Sequence, residues 1–380
     1  MTGENPPMTA SQQPLGIVLV VGGCGFLGHH IVRALLDSRA CSAVAVISRT
    51  PTRNLIPQAA YYACDITSKS ALLSILATIQ PKIIITTASP LSNATISHDS
   101  VTVAGTQNLL ACAQSTASVR HFIYCSSITV VPIRPFSLLR EDEATLVPPT
   151  SRHDLYAAAK SRADALVLAS NACIPTDGSK PLRTAVLRPC GIIGEGDVQV
   201  LPAIINLYRK GQSRFQLGKS TSKFDSVYVA NVADAHVQLA LAMVREAEDP
   251  AFGGPPIAGE AFFITNGHPM LFWDFMRLVW RAAGDETRIE DVWVVPLWLA
   301  FTIAFVSEWV VWLITWGTRI PSINRRAVDH CSTEMTFSID KAKERLGYNP
   351  RVSLEEGVRR SVESIVATRA PAGKSGIKSS

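Results

Sequence analysis

The stretch Ile17 to Leu36, IVLVVGGCGFLGHHIVRALL, constrains the chain more than any other. An apolar run, Ile17 to Val21, leads straight into Gly22, Gly23, Gly25 and Gly28. Phe26, Leu27, Ile31, Ala34 and Leu35 then recur at helical spacing. A buried strand, a glycine turn and a helix in that order make the first unit of a dinucleotide-binding sheet. Glycine serves there because the chain must turn tightly, bring bare backbone to a pyrophosphate and pack a helix close to a strand. The helix N-terminus adds free N–H groups and partial positive charge. Gly22, Gly23, Gly25, Phe26, Leu27 and Gly28 are therefore the expected phosphate-binding residues.

The rest of the first half alternates strands with helices. Ala43 to Ile47 forms a second strand ending at Ser48 and Arg49. An acidic residue there would bind the ribose 2′-OH of NAD; a hydroxyl and a cation, with Arg53 behind, suit the 2′-phosphate of NADP. NADP is favoured and NAD is kept as the alternative. Tyr61 to Cys64 is a third strand, with Asp65 placed to read an adenine amino group. Ser70 to Ile79 is helical. Lys82 to Thr87 is a fourth strand, and the small residues after it put Thr87, Ala88 and Ser89 under the nicotinamide ribose. Val101 to Ala113 is a helix, and His121 to Cys125 a fifth strand that ends on Ser126 and Ser127. This alternation predicts an α/β fold, a Rossmann-type doubly wound parallel sheet with its ligand beyond the carboxyl ends of the strands.

Further on, Tyr156 and Lys160 stand four apart in an unbroken helical stretch, one turn from each other on one face. Leu182 to Arg188 is a sixth strand ended by Pro189, which is expected to contact the cofactor, and GIIGEGD reads as a glycine-rich loop. Lys223 to Val229 and Glu260 to Thr265 are strands separated by a helix from Val232 to Met243. The organisation expected is a disordered leader (1–14), a nucleotide domain (15–190, with returning strands at 223–267), a substrate region (191–222 and 268–362) and a disordered tail (363–380).

A formal charge of +5 over 380 residues, with the cations dispersed, excludes a nucleic-acid partner. Eight cysteines without a CxxC pair, and ungrouped with the eight histidines, imply neither zinc nor disulfides. Val292 to Gly317 carries a single charge, Glu308, and reaches the length of a bilayer span. Trp298, Phe301, Phe305, Trp309, Trp312 and Trp316 recur at spacings of three and four, which makes one aromatic stripe. A stripe fits a helix lying in a membrane interface, or walling an apolar pocket, better than a simple span. A buried core helix is the alternative.

Together GGCGFLG, the serine pair, Tyr-x-x-x-Lys, LRPCGIIGEGD and DSVYVANVADAHVQLA resemble the extended short-chain dehydrogenase/reductases, in particular the 3β-hydroxysteroid dehydrogenase branch. The ending SIDKAKERLGYNPRVSLEEG and the apolar segment are most similar to fungal sterol-4α-carboxylate 3-dehydrogenases. The resemblance spans roughly Gly16 to Val362. It implies NAD(P)-dependent oxidation of a sterol or triterpenoid 3β-hydroxyl, with decarboxylation of a 4α-carboxylate. Tyr156 is then the base, Lys160 its electrostatic partner and a ligand of the nicotinamide ribose, and Ser127 a hydrogen-bond donor to the reacting oxygen. It further implies the cytoplasmic face of the endoplasmic reticulum membrane, with a homodimer or other C-4 demethylation enzymes as partners. Ser48 and Thr102 depart from the family pattern, at cofactor-side positions. A ketone reductase acting on another secondary metabolite, or a membrane-bound nucleotide-binding protein without turnover, are the alternatives.

Overall fold

Seven short apolar strands lie side by side in the computed structural model, all parallel. They are β1 (Gly16–Val21), β2 (Cys41–Ser48), β3 (Ala60–Ala63), β4 (Ile83–Thr86), β5 (His121–Cys125), β6 (Arg183–Pro189) and β7 (Ala261–Ile264), in the order β7-β6-β5-β4-β1-β2-β3. The structure describes residues 14–90, 98–151, 154–172, 181–249, 251–316, 321 and 323–369. Most of the leader, His153, Gly317 and the tail beyond residue 369 lie outside them.

Helices α1 (Phe26–Ser38), α2 (Lys69–Ile79), α3 (Gly105–Ser115) and α4 (Leu155–Ala169) alternate with the first strands. Then follow α5 (Val200–Arg209), α6 (Val229–Glu248), α7 (Phe272–Ala282), α8 (Leu297–Thr315), α9 (Arg325–Ser332), α10 (Asp340–Leu346) and α11 (Leu354–Arg369). The strand pleat sorts the core. Val18, Val20, Val46, Ile85 and Ile123 point to one face, which α1 and α6 cover. Leu19, Val21, Ile47, Ile84 and Phe122 point to the other, beneath α2, α3 and α4. Because both faces are buried, these strands read as continuous apolar runs rather than alternating ones. A separate core, built on Leu201, Trp273, Trp280 and Val358, holds α5, α7 and α11 together in the C-terminal region.

Several local expectations change. GIIGEGD is not wholly a loop: Gly191–Ile193 is a strand paired in parallel with Ser226–Tyr228. The strand expected at Lys223 to Val229 divides at Asp225. Lys223–Phe224 joins a small sheet with Met270–Leu271, Met335–Phe337 and Phe136–Leu139, and the buried Asp225 carboxylate accepts the Phe337 amide at 2.8 Å. Ahead of α3, Asp99–Ala104 forms a π turn. The tail does not begin at residue 363, because α11 continues to Arg369 with Ile365 buried.

The apolar segment becomes α8, and it is no core helix. Ala300 and Ala304 alone among its residues are buried, against Val328 of α9. Trp298, Phe305, Trp309 and Trp312 are exposed, and so are Ile303, Val306, Val310, Leu313 and Ile314. The exposed apolar surface therefore wraps the helix instead of forming one stripe. Trp316 caps the helix in the left-handed region, φ 50°. The single charge, Glu308, pairs with Arg325 at 2.8 Å.

Candidate active site

A cavity of about 410 Å³ opens at the carboxyl ends of the strands, where β1, β2, β4 and β5 finish. Gly22 turns there with φ +86°. A Cβ on Gly28 would lie 2.2 Å from the Gly22 carbonyl oxygen, so α1 seats against the turn only with glycine. No side chain caps α1 at Gly25 and no acid occupies its first turn. Its leading N–H groups are thus left for an anion, as a pyrophosphate site requires. Gly22, Gly25, Phe26, Leu27 and Gly28 line the cavity.

One end is walled by Ser48, Arg49, Thr50, Arg53 and Asp65, the other by Tyr156 and Lys160, with Thr87, Ala88 and Ser89 between. This span, from a cationic pocket past free helix amides to a phenol and an ammonium, fits a dinucleotide. Asp65 has one oxygen engaged: Oδ1 accepts the amide and hydroxyl of Thr67 at 2.9 and 2.8 Å. Those bonds hold its carboxyl below the usual range. Gly23 and Pro189 stand behind the walls. Gly23 packs on Val46 and Pro189 is buried at the end of β6, so neither lines the cavity, whereas Ile192 and Gln199 do.

Tyr156 and Lys160 sit in the first turns of α4. Asp154 caps that helix, accepting the Ala157 amide at 3.0 Å, and a buried two-pronged ion pair ties it to β6. In that pair Arg188 donates to both Asp164 oxygens at 2.9 and 2.8 Å. Lys160 is buried, donates to the Cys125 carbonyl at 2.8 Å and lies 4.9 Å over the Tyr124 ring. Burial lowers its pKa. The Tyr156 phenol is pushed up to about 12, chiefly by burial, while a hydrogen bond with Ser127 pulls the other way. The Lys160 ammonium, expected to draw the phenol down, is directed to the Cys125 carbonyl.

Ser127 ends the β5 segment in extended conformation, and its Oγ accepts the Thr129 amide at 3.2 Å. Ser127 itself lines neither this cavity nor a second one; its chain neighbours do, Ser126 in the first and Ile128 in the second. Two neighbours had no catalytic role expected of them. Ser126 lines the dinucleotide cavity, and its buried Oγ has no partner among the described residues. His98 packs edge-on against Tyr156, centroids 5.5 Å apart. Ser126 was legible as one of a pair; His98 reaches Tyr156 through the π turn, which no periodicity announces.

The same fold occurs in solved structures that are under 25% identical. The Bordetella bronchiseptica enzyme WbmH in complex with NAD+ matches with a TM-score of 0.67 at 17% identity, over 92% of this chain and 98% of that one. A structure known as gox2253 matches with a TM-score of 0.68 at 23% identity, over 93% and 98%. Fold and glycine turn define an NAD(P)-binding Rossmann protein. Residues 19–297 match the sequence model of the 3-beta hydroxysteroid dehydrogenase/isomerase family, and the chain belongs to that family of NAD(P)-dependent oxidoreductases. It is 33% identical over 354 residues to the decarboxylating sterol-4-alpha-carboxylate 3-dehydrogenase of Schizosaccharomyces pombe, covering 92% of this chain and 97% of the relative. The Saccharomyces cerevisiae enzyme of the same name is 31% identical over 91% and 96%. An Arabidopsis thaliana 3beta-hydroxysteroid-dehydrogenase/decarboxylase is 35% identical over 70% and 57%.

Proposed function

We propose that the enzyme oxidises the 3β-hydroxyl of a sterol or triterpenoid carrying a 4α-carboxylate, and that the carboxylate is then lost as carbon dioxide. This reading is supported by near full-length similarity to decarboxylating sterol-4-alpha-carboxylate 3-dehydrogenases, joined to Tyr156 and Lys160 lining one end of the dinucleotide cavity and to the hydrogen bond between Ser127 and Tyr156.

When bound, the nicotinamide supplies a hydride acceptor and a positive charge. Tyr156 takes the hydroxyl proton. A buried phenol near 12 is a poor base, and a cationic ring beside it favours the phenolate. Ser127 donates to the same substrate oxygen as it becomes a carbonyl. Lys160 adds positive charge at the same end of the cavity. The product is a β-keto acid. Its C–C bond breaks to release carbon dioxide, the electron pair passes into an enolate stabilised by the new ketone, and a proton from solvent completes C4.

Ser48, Arg49 and Arg53 support NADP(H) over NAD(H), since cations at the end of β2 suit a 2′-phosphate. The exposed apolar surface of α8 supports association with the endoplasmic reticulum membrane, where such a substrate dissolves. Detergent-solubilised protein supplied with a 4α-carboxy-3β-hydroxysterol tests the reading. Reduced NADP and carbon dioxide form in equal amounts, and Tyr156→Phe abolishes both. Reduction without carbon dioxide removes the decarboxylation, faster turnover with NAD+ removes the cofactor preference, and no reduction with either removes the substrate.

A further inference from the structure

The second cavity has a volume of about 680 Å³. Ile128 and Thr129 follow Ser127 directly and form one wall; Val131, Val147 and Pro148 give it a carbon surface. Asp154, the cap of α4, and Arg326 of α9 close it with charge. Its size falls in the range of small-molecule pockets, ~300–1,000 Å³. Ile128 in its wall is the chain neighbour of Ser127, which hydrogen-bonds Tyr156.

The charges in this cavity are arranged asymmetrically. Asp154 uses one oxygen to cap α4 and the other to pair with Arg326. Among the described residues Asp154 is the one hydrogen-bonding partner of Arg326, whose side chain is 59% exposed. A guanidinium carries five N–H donors in a planar fork, so most of them remain to be used. His330, also in the wall, has its pKa lowered by desolvation and by the Arg326 charge, although the residue keeps an exposed surface. Arg326 is thus the cation that this apolar cavity offers among the described residues.

We propose that this cavity receives the ring system of the substrate and that Arg326 binds the carboxylate next to the reacting carbinol. The assignment rests on the function proposed above. A carboxylate entering a carbon-lined cavity is costly unless paired, and the guanidinium fork matches it with two parallel hydrogen bonds. Position agrees as well. Asp154, which Arg326 clasps, is two residues before Tyr156, a chain reach of at most about 7 Å. In the substrate the carboxyl carbon is two bonds from the carbinol carbon. Arg326 then bridges two carboxylates, that of Asp154 and that of the substrate. Carbon dioxide leaves without charge, so this ion pair belongs to the ground state and acts mainly on KM.

The experiment uses the full-length protein with Arg326→Met and Arg326→Lys. Two constants are read: KM for a 4α-carboxy-3β-hydroxysterol, and the inhibition constant of the 4α-methyl-3β-hydroxysterol as its competitor. Loss of a charged hydrogen-bonding partner raises KM for the acid about 10- to 100-fold in Arg326→Met. The inhibition constant of the methyl compound moves far less, and Arg326→Lys recovers part of the loss. An unchanged KM for the acid overturns the assignment. Equal rises in both constants overturn it too, because Arg326 would then only brace Asp154 and α4. In either case wild-type turnover leaves the proposed reaction standing, whereas wild-type protein that never oxidises the acid overturns both.

Discussion

Two glycines of the nucleotide turn are required for different physical reasons, and substitution can separate them. A Cβ on Gly28 would stand 2.2 Å from the Gly22 carbonyl oxygen and 2.8 Å from its carbon. Both obstacles are backbone, and Gly22 holds a left-handed φ of +86°, so no side chain can rotate away. To reach ordinary contact at 3.4 Å, Gly28→Ala must push α1 and the turn apart by roughly 1 Å. Misplacement on that scale costs about 100-fold, here in NAD(P)+ affinity. A Cβ on Gly23 instead meets Val46 Cγ1 at 2.7 Å and Cγ2 at 3.0 Å, the methyls of a fully buried side chain. Gly23→Ala therefore overpacks the core by ~1–3 kcal/mol, and trimming the neighbour relieves it. Titration calorimetry with NADP+ should give about 100-fold weaker binding for Gly28→Ala, and near-wild-type binding for Gly23→Ala/Val46→Ala. Gly28→Ala within twofold of wild type would refute the reasoning, and so would an equal rescue of both glycine variants by Val46→Ala.

Other outcomes follow from the same geometry. Asp164→Ala leaves the buried Arg188 guanidinium unpaired and costs about 3–5 kcal/mol in urea unfolding; a loss under 1 kcal/mol would mean the ion pair holds nothing. Burial pushes the Asp225 carboxyl up to about 7 from 3.8, against the pull of the Phe337 amide. The folded state keeps that proton between about 3.8 and 7, so stability falls as pH rises through this window and levels above it. Asp225→Asn keeps an acceptor for Phe337 and removes the slope, on the order of 4 kcal/mol in all; parallel wild-type and variant curves would sink the claim. Trp309→Ser/Trp312→Ser removes two exposed apolar side chains worth about 2 kcal/mol each at a membrane, so sedimentation with phosphatidylcholine vesicles weakens roughly 100-fold or more. Unchanged sedimentation would show that α8 does not carry the association.

The parallel sheet was legible because its strands are buried on both faces and its turns are marked by glycine, serine and proline. β1 through β5 fall within a residue or two of the apolar runs that announce them. Tyr156 and Lys160 were legible for a different reason, a helical spacing of four in a stretch without a breaker. What escaped the reading depends on contacts distant in sequence. Nothing near Asp164 indicates that Arg188 will grip it across 24 positions. Asp225 looks like an ordinary strand residue until the Phe337 amide, 112 positions away, accounts for the break there. The π turn that brings His98 to Tyr156 disturbs helical periodicity by one residue in six, too little to register. The stripe on α8 is a case of periodicity overstating order: the aromatic positions do repeat, but the aliphatic residues between them are equally exposed, so the helix has no polar face to contrast with them.

The eight residues of α9 connect the apolar surface to the chemistry. Val328 meets Ala300 and Ala304 of α8, while Arg326, Ala327 and His330 line the second cavity. Arg325, at the start of the same helix, neutralises Glu308, the one charge in the apolar segment. A helix with apolar side chains exposed around nearly its whole circumference is costly in water and stable in lipid. Docking it in a membrane therefore sets the cavity one short helix away from the lipid. Under the function proposed above, a water-insoluble alcohol would then enter from the phase in which it is already dissolved. The same connection makes a demand on α9. Its small Ala327 keeps the cavity side open, and Val328 one position on keeps the α8 contact packed. Ala327→Trp should accordingly raise KM for the membrane-borne sterol without altering vesicle binding, whereas Val328→Asp should loosen α8 and change both. Variants that moved the two properties together in both cases would show that α9 is a single structural support with no division of labour between its faces.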